Sequence, residues 1–421
     1  MITIDQFTEF RFGMFVHYGL YSLLERGEWA MNRERISAAD LRELSGKFTA
    51  DRFDAGAFCD LAVRAGMRYV VLTSMHHDGF RLYRSELSDF SSWTTCSRDL
   101  CAETIAAARE RGLGVGLYHS LNNWFDRPDA VDALEDKSAW KVFIANTHAR
   151  VEELVRSHNF DILWYDGWWP FDGEGWQGED LNARLRAIRP GLLFNPRNGA
   201  EGDFATPEQH ISAPRPWRPW EACMTLNDNW GFHRGDDNWK SPKEVIKLLC
   251  KVAAGNGNLL LNVGPRGDGS IPEESIQILE SVGSWIERNG DCLRDNQIFT
   301  FDLEHRGDHT GDWCHHGPMT VSGHSLYLVA TSWPGNEWTL SGLQAEVLSA
   351  ELLPAKVTVP FTRLTDGVFR FHGLPQDRPD PLAPVFRILC DRPPTVYNCG
   401  GMRTPVVPHP PYDPMPSDVA L

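Results

Sequence analysis

Four stretches of the 421-residue chain carry groups able to do chemistry, at positions a fold could bring together. The first is Phe160-Asp161-Ile-Leu-Trp164-Tyr165-Asp166-Gly167-Trp168-Trp169, an apolar strand pattern that ends in a carboxylate and runs into glycine and two tryptophans. Asp161, ahead of the strand, reads as a turn residue. Burying Asp166 among aromatics would be costly unless it is paired or used. The second runs from Asn195-Pro-Arg197 through Asp203-Phe-Ala-Thr-Pro-Glu208 to Trp220-Glu221 and Asn229-Trp-Gly-Phe232. It shows little regular periodicity, reads as loops over a site, and offers Glu208 or Glu221 as a second carboxylate. The third is Met75-His76-His77-Asp78-Gly-Phe. Adjacent histidines on extended backbone point to opposite sides unless a bend turns both into one cavity. The fourth is Arg11-Phe-Gly-Met-Phe-Val-His17-Tyr-Gly, followed by Glu28-Trp29.

A carboxylate pair among aromatics, with hydrogen-bonding histidines, suggests glycoside hydrolysis. One carboxylate attacks or stabilises the anomeric carbon and the other protonates the leaving oxygen. A metal-dependent barrel hydrolase built on His17, His76, His77 and Asp166 is a rival reading. The first strand, however, supplies one histidine rather than a His-x-His pair, so no metal is expected; glycoside hydrolysis by two carboxylates calls for no organic cofactor either. No G-x-S-x-G stretch and no activating setting for a cysteine support a Ser or Cys nucleophile. Gly255-Asn-Gly-Asn258 precedes an apolar strand instead of opening a helix, so it reads as a tight turn and not a phosphate loop.

These groups need a frame, and the first 290 or so residues supply one by alternating strands with helices. Strand patterns fall at Phe12–Val16, Tyr69–Ser74, Gly114–Tyr118, Ile162–Tyr165, Leu192–Asn195 and Asn258–Asn262. Helical periodicity falls at Ala57–Ala65, Ala102–Arg111, Ala139–His158, Glu179–Ile188, Pro242–Ala254 and Pro272–Asn289. Such alternation predicts βα units and a parallel sheet. Polar residues recur after several different strands (His17, His76, His119, Asp166, Asn195). That favours an irregular (β/α)8-like TIM barrel over an open doubly wound sheet, which gathers its chemistry at one switch point. From about Asp291 short alternating segments separated by Gly, Pro and Asp predict a C-terminal antiparallel β-sandwich, and prolines cluster after Cys390. The expected organisation is a barrel over 1–292, a sandwich over 293–397 and a Pro-rich tail over 398–421.

Composition narrows the field further. Lys and Arg number 41 against 57 Asp and Glu, a formal charge of −16 that repels phosphate backbones, so nucleic acid is not an expected partner. No run approaches the ~18–20 apolar residues of a membrane span. The opening Met-Ile-Thr-Ile-Asp-Gln lacks a basic and apolar leader, and nine scattered cysteines outline neither a disulfide framework nor a zinc site. A cytoplasmic location is the expectation. Sixteen tryptophans suit sugar faces, or simply an aromatic core.

The motifs also resemble a known family, the α-L-fucosidases of glycoside hydrolase family 29. The resemblance runs in order through Phe12-Gly-Met-Phe-Val-His17, Glu28-Trp29, His76-His77-Asp78-Gly-Phe, Gly116-Leu-Tyr-His-Ser120 and Leu163-Trp-Tyr-Asp166-Gly. It continues through Asn195-Pro-Arg197, Trp220-Glu221, Asn229-Trp-Gly-Phe232 and Gly257-Asn-Leu-Leu-Leu-Asn-Val-Gly-Pro265. It implies a barrel followed by a β-sandwich, and a retaining exo-α-L-fucosidase acting on fucosylated oligosaccharides or glycoconjugates through a covalent intermediate. A non-catalytic fucose-binding barrel is the alternative. By position, the resemblance puts the nucleophile on Asp166 and the acid/base on Glu208, with Glu221 as the alternative. It puts sugar contacts on His17, Glu28, Trp29, His76, His77, Arg197 and either Tyr118 or His119. Asn-Pro-Arg197 departs from the commoner Asn-Asp-Arg pattern. Phe15, Trp164 and Phe232 could enclose the sugar's methyl group. Desolvation and the charge on Asp166 are expected to raise the acid/base pKa in the free enzyme. Linkage preference and oligomeric state are not implied.

Overall fold

The computed structural model describes residues 1–214, 216–298 and 316–395; the expected Pro-rich tail lies outside them, as do Cys314 and Cys399. Seven parallel strands, β1 (Phe12–Val16), β2 (Tyr69–Met75), β3 (Gly114–Ser120), β4 (Ile162–Asp166), β5 (Leu193–Phe194), β6 (Glu221–Thr225) and β7 (Asn258–Val263), lie in the order β5-β4-β3-β2-β1-β7-β6. The two edges are bridged by irregular chain. Asp203 N donates to Phe194 O at 2.7 Å, and Ala205 and Glu208 then form parallel bridges with Trp220 and Cys223. The sheet thus curls round on itself without a regular eighth strand.

Strands that are buried on both faces need not alternate, and β1, β2, β3, β6 and β7 are buried throughout. Helices follow the strands because their starts are written locally. Asp54, Asp99 and Asp136 cap the helices Ala55–Arg64, Leu100–Glu110 and Lys137–Ser157 by accepting first-turn N–H groups. Ser241 and Glu244 form a reciprocal capping box on Pro242–Ala254. Inside the curl, Phe15, Tyr69, Val71, Tyr118, Ile162, Trp164, Cys223 and Leu260 pack together, so the interior is a filled core below the strand ends.

Asp161, expected as a turn residue, is fully buried at the start of β4. It accepts two bonds from Arg109 (2.7 and 2.9 Å) and one each from the Ile2 and Val115 N–H groups. This places a structural anion at the end of the barrel opposite the strand C-termini. One strand was not expected at all: β6 lies in the stretch read as loops, and β5 is shorter than the pattern at 192–195 implies.

After the helix Glu273–Asn289 the chain turns antiparallel. One six-stranded sheet has the order β13-β12-β16-β10-β9-β8, with β8 (Asn296–Gln297), β9 (Met319–Ser322), β10 (Ser325–Val329), β12 (Val347–Leu353), β13 (Val357–Thr358) and β16 (Val385–Cys390). A three-stranded sheet comprises β11 (Glu337–Ser341), β14 (Phe361–Thr365) and β15 (Val368–His372). Trp338, Phe371, Phe386 and Leu328 fill the space between the two as a sandwich core. The sandwich is fastened to the barrel by Trp285 Nε1 donating to Ala383 O (2.7 Å) and by an Arg288–Asp380 ion pair.

Candidate active site

The C-terminal ends of the strands surround a cavity of about 150 Å³. That is small beside the ~300–1,000 Å³ of pockets that take drug-sized ligands, and suits a single ring. Its deep wall is Phe15, His17, His76, His77, Tyr118 and Trp164, all buried; Trp168, Trp169 and Glu208 stand at the mouth. The described residues hold one dominant carboxylate in its wall. Asp166 ends β4, accepts from Tyr118 Oη at 2.8 Å and from Arg197 Nη1 at 2.9 Å, and lies 3.8 Å from His77 Nε2. Burial pushes its carboxyl up, but the Arg197 charge and the Tyr118 bond more than offset this and hold it below the usual carboxylate range.

The same Arg197 nitrogen lies 2.8 Å from Glu208 Oε2. The two carboxylate oxygens that share it can be no farther apart than the sum of the two contacts. A bound this short on the nearest oxygens is compatible with the ~5–5.5 Å carboxyl separation of a retaining pair. Arg197 is itself held by Thr206, whose hydroxyl and carbonyl accept at 3.4 and 3.3 Å, and its guanidinium lies over the Trp164 ring at 4.6 Å. Glu208 therefore reaches the site because the irregular 203–209 segment, two residues past Thr206, is tied to both edges of the sheet.

The paired histidines do share one cavity. A register shift between Thr73 and Met75, followed by a turn closed by Gly79 N donating to His76 O (3.0 Å), brings the two rings to 4.0 Å. Hydrogen-bond bookkeeping assigns their protons. Ser120 Oγ donates to Asn122 O, so it accepts from His77 Nδ1 (2.6 Å), leaving Nε2 bare. Asn262 Nδ2 donates to Trp230 O, so Asn262 Oδ1 accepts from His17 Nδ1 (2.7 Å), and His17 Nε2 is bare as well. Burial drives both rings toward neutrality, His17 down to about 3 and His77 to about 4. His76 stacks on Tyr118 at 5.6 Å and 9°. The cavity thus presents neutral imidazole acceptors, the Asp166 carboxylate in its wall and Glu208 at its mouth, and aromatic faces, a set that matches hydroxyls on a ring. Among the described residues no group of three or more His, Cys, Asp or Glu is placed to hold a metal ion.

Trp29, on the wall, stacks on Trp169 (5.5 Å) and meets His77 edge-on. Four residues named from the sequence do not line the cavity. Successive residues of a strand face opposite ways, so Tyr118 faces in while His119 faces out. There His119 bonds Ser74 Oγ (2.8 Å) and accepts from Arg150 Nε (3.1 Å). Glu28 accepts from Gly231 N (2.8 Å) and so fixes the loop that carries Trp230. Phe232 packs under Arg266, and Trp230 takes the cavity position instead. Glu221 is buried one layer beneath the floor, accepting from Trp164 Nε1 (2.9 Å) and from Tyr69 Oη. A raised carboxyl is found here. Burial pushes Glu221 up to about 7 against the bonds from Tyr69 and Trp164, whereas Glu208 is 40% exposed and paired with a guanidinium. Sequence reasoning passed over Trp230, Cys223 and Asn262 as site residues. Asn262, a polar residue inside the apolar run Leu259-Leu-Leu-Asn262-Val263, was the legible signal among them.

A barrel with a one-ring cavity at its strand ends and two carboxylates across one arginine defines a glycoside hydrolase. Within that class the chain belongs to the alpha-L-fucosidase family, whose model matches residues 3–291. It is 28% identical over 365 residues to the tissue alpha-L-fucosidase of Rattus norvegicus, covering 78% of this chain and 76% of the rat protein. It is 30% identical over 321 residues to the plasma alpha-L-fucosidase of Homo sapiens, covering 68% of each. Among solved structures it is similar to alpha-L-fucosidase isoenzyme 1 from Paenibacillus thiaminolyticus, with 31% identity, a TM-score of 0.81, and coverage of 92% of this chain and 98% of that one.

Proposed function

We propose that this protein is a retaining exo-α-L-fucosidase, with Asp166 as nucleophile and Glu208 as acid/base. The observation that carries the reading is the arginine shared by the two carboxylates at the mouth of a blind, one-ring cavity. In the first half-reaction Asp166 Oδ attacks the anomeric carbon as the bond to the leaving oxygen breaks. Glu208 gives that oxygen a proton, and a fucosyl ester forms on Asp166. In the second, Glu208 takes a proton from water, the water oxygen attacks the same carbon from the vacated side, and Asp166 leaves as carboxylate. Two inversions give net retention. Tyr118 and Arg197 stabilise the carboxylate as it departs, which lowers the barrier to breaking the ester. Arg197 holds Glu208 at the cavity mouth, where the leaving oxygen would pass.

The neutral His17, His76 and His77 suit the ring hydroxyls, with Phe15, Trp164 and Trp230 as apolar surface for the methyl group. Natural substrates are then oligosaccharides or glycoconjugates with terminal fucose. Among the described residues no helix is long and apolar enough to cross a membrane. The buried thiols of Cys59, Cys101 and Cys223 fit a reducing, cytoplasmic setting. Release of fucose from an aryl α-L-fucoside by the wild type, abolished in Asp166→Ala, tests the assignment; full activity in the variant contradicts it.

A further inference from the structure

Behind the cavity lies a buried cation that the reaction above does not use. Arg150, on the helix Lys137–Ser157, is 2% exposed. Among the described residues its hydrogen bonds go to neutral acceptors. Its Nε donates to His119 Nε2 (3.1 Å), and its Nη2 donates to the carbonyls of Ser120 (3.3 Å) and Leu121 (3.1 Å). His119 is set to receive that bond. Ser74 Oγ donates to Tyr118 O (2.7 Å) and so accepts from His119 Nδ1 (2.8 Å), which leaves the lone pair on Nε2 for the guanidinium. Burial and the neighbouring Arg81 charge pull Arg150 down to about 10, still a cation at neutral pH. A buried charge answered by neutral groups is costly, and proteins keep such features where they serve a site.

The groups that Arg150 holds span the end of β3, and two site residues hang from them. Ser120 Oγ accepts from His77 Nδ1 (2.6 Å) and so sets that ring's tautomer. Leu121 N donates to Asp166 O (2.8 Å), and Asn122 Nδ2 donates to Gly167 O (2.9 Å), which ties down the chain at and just after Asp166. The fit there is close: a Cβ on Gly167, at φ 73°, would lie 2.8 Å from Ser120 Oγ. A shift of the Ser120–Leu121 peptide therefore moves His77 and the strand end that carries Asp166 together. We infer that Arg150 is a positioning residue for the reaction: from the outer helix it clamps the end of β3 and, through the Ser120 hydroxyl, holds His77 in the orientation that meets the sugar. This rests on the fucosidase reading above and adds to it a residue that touches no substrate.

The inhibition constant of free fucose, measured against aryl fucoside hydrolysis, reads how well the cavity holds the ring. In Arg150→Met, assayed below its thermal transition, we expect that constant to rise about tenfold. Ser120→Ala, which removes the acceptor for His77 Nδ1, should also raise it about tenfold. Combining the two should add no more than about threefold to either single change, because both act through one hydroxyl. Were Arg150 merely filling space behind the sheet, its loss would lower the melting temperature and leave the constant of the folded variant at the wild-type value. That result, or two tenfold rises that multiply to about a hundredfold, overturns the inference. Should Arg150→Met not fold, Arg150→Lys, which keeps the charge but loses the planar fork over three acceptors, goes through the same cycle with the same two overturning results. A wild type that neither releases fucose nor is inhibited by it overturns the proposed function itself, an outcome distinct from an unmoved constant in an active enzyme.

Discussion

One guanidinium nitrogen of Arg197 contacts both Asp166 Oδ1 (2.9 Å) and Glu208 Oε2 (2.8 Å). Asp166 belongs to a barrel strand, whereas Glu208 belongs to the irregular chain that spans the sheet's open edges. A single side chain therefore sets the spacing of two carboxylates that come from separate elements.

Replacing that side chain should disturb both. Arg197→Ala is expected to lower kcat/KM on an aryl fucoside by about 10²–10³-fold, the cost of losing a preorganised charged donor. It should also move the acid limb of the pH profile. Asp166 is now held below its ordinary ~3.9, so it stays ionised at lower pH than an unassisted carboxylate; without Arg197 the limb should shift upward. A pH profile of kcat/KM for both forms checks this, and an unmoved limb would show that Arg197 does not control Asp166.

Glu208→Ala should separate substrates by leaving group. Fucosides with poor leaving groups, which need the proton, are expected to lose about 10²–10⁴-fold in kcat/KM, while those with good leaving groups are largely spared. Should Glu221→Ala alone give this pattern, the acid/base role belongs to Glu221.

Glu221 is expected to report through stability instead. Its carboxyl is raised from 4.5 to about 7 by burial, so folding favours the protonated form. The stabilising contribution is fully present below about pH 4 and is lost as pH rises through about 7, with a slope of at most ~1.4 kcal/mol per pH unit. Denaturant unfolding from pH 4 to 8 should show this decline in the wild type and a flatter profile in Glu221→Gln.

Asp161, at the far end of the same strand from Asp166, provides a contrast. Asp161→Ala removes the buried partner of Arg109 and the acceptor for two backbone N–H groups, and should cost about 3 kcal/mol of stability. At a temperature where the variant remains folded, kcat should stay close to wild type. A large drop in kcat there would mean that the two ends of the barrel are coupled.

How far the sequence carries can be read from these residues. β1, β4 and β7 are legible because buried parallel strands read as short apolar runs between helices with clear starts; Phe12–Val16 and Pro242–Ala254 match the expected bounds. β6 was not legible. Glu-Ala-Cys-Met-Thr follows a proline- and tryptophan-rich stretch and begins with an ionisable residue, while its parallel pairing with β7 and the burial of Glu221 beneath Trp164 are features of the fold alone. Asp166 stood out because a carboxylate closing an aromatic strand needs a partner. Choosing Tyr118 over His119 required knowing which face of β3 turns inward, a one-residue question that periodicity within a fully buried strand does not answer. The raised carboxyl of Glu221 was not legible for a similar reason: desolvation depends on three-dimensional surroundings that the chain does not show.

The most direct measurement is the stereochemistry of azide rescue. In Asp166→Ala, azide can occupy the space of the missing carboxylate, attack the anomeric carbon of a nitrophenyl α-L-fucoside and expel the phenolate. Restored turnover with β-L-fucosyl azide as product is expected. Undiminished hydrolysis without azide, or an azide product of α configuration, would contradict Asp166 as the nucleophile.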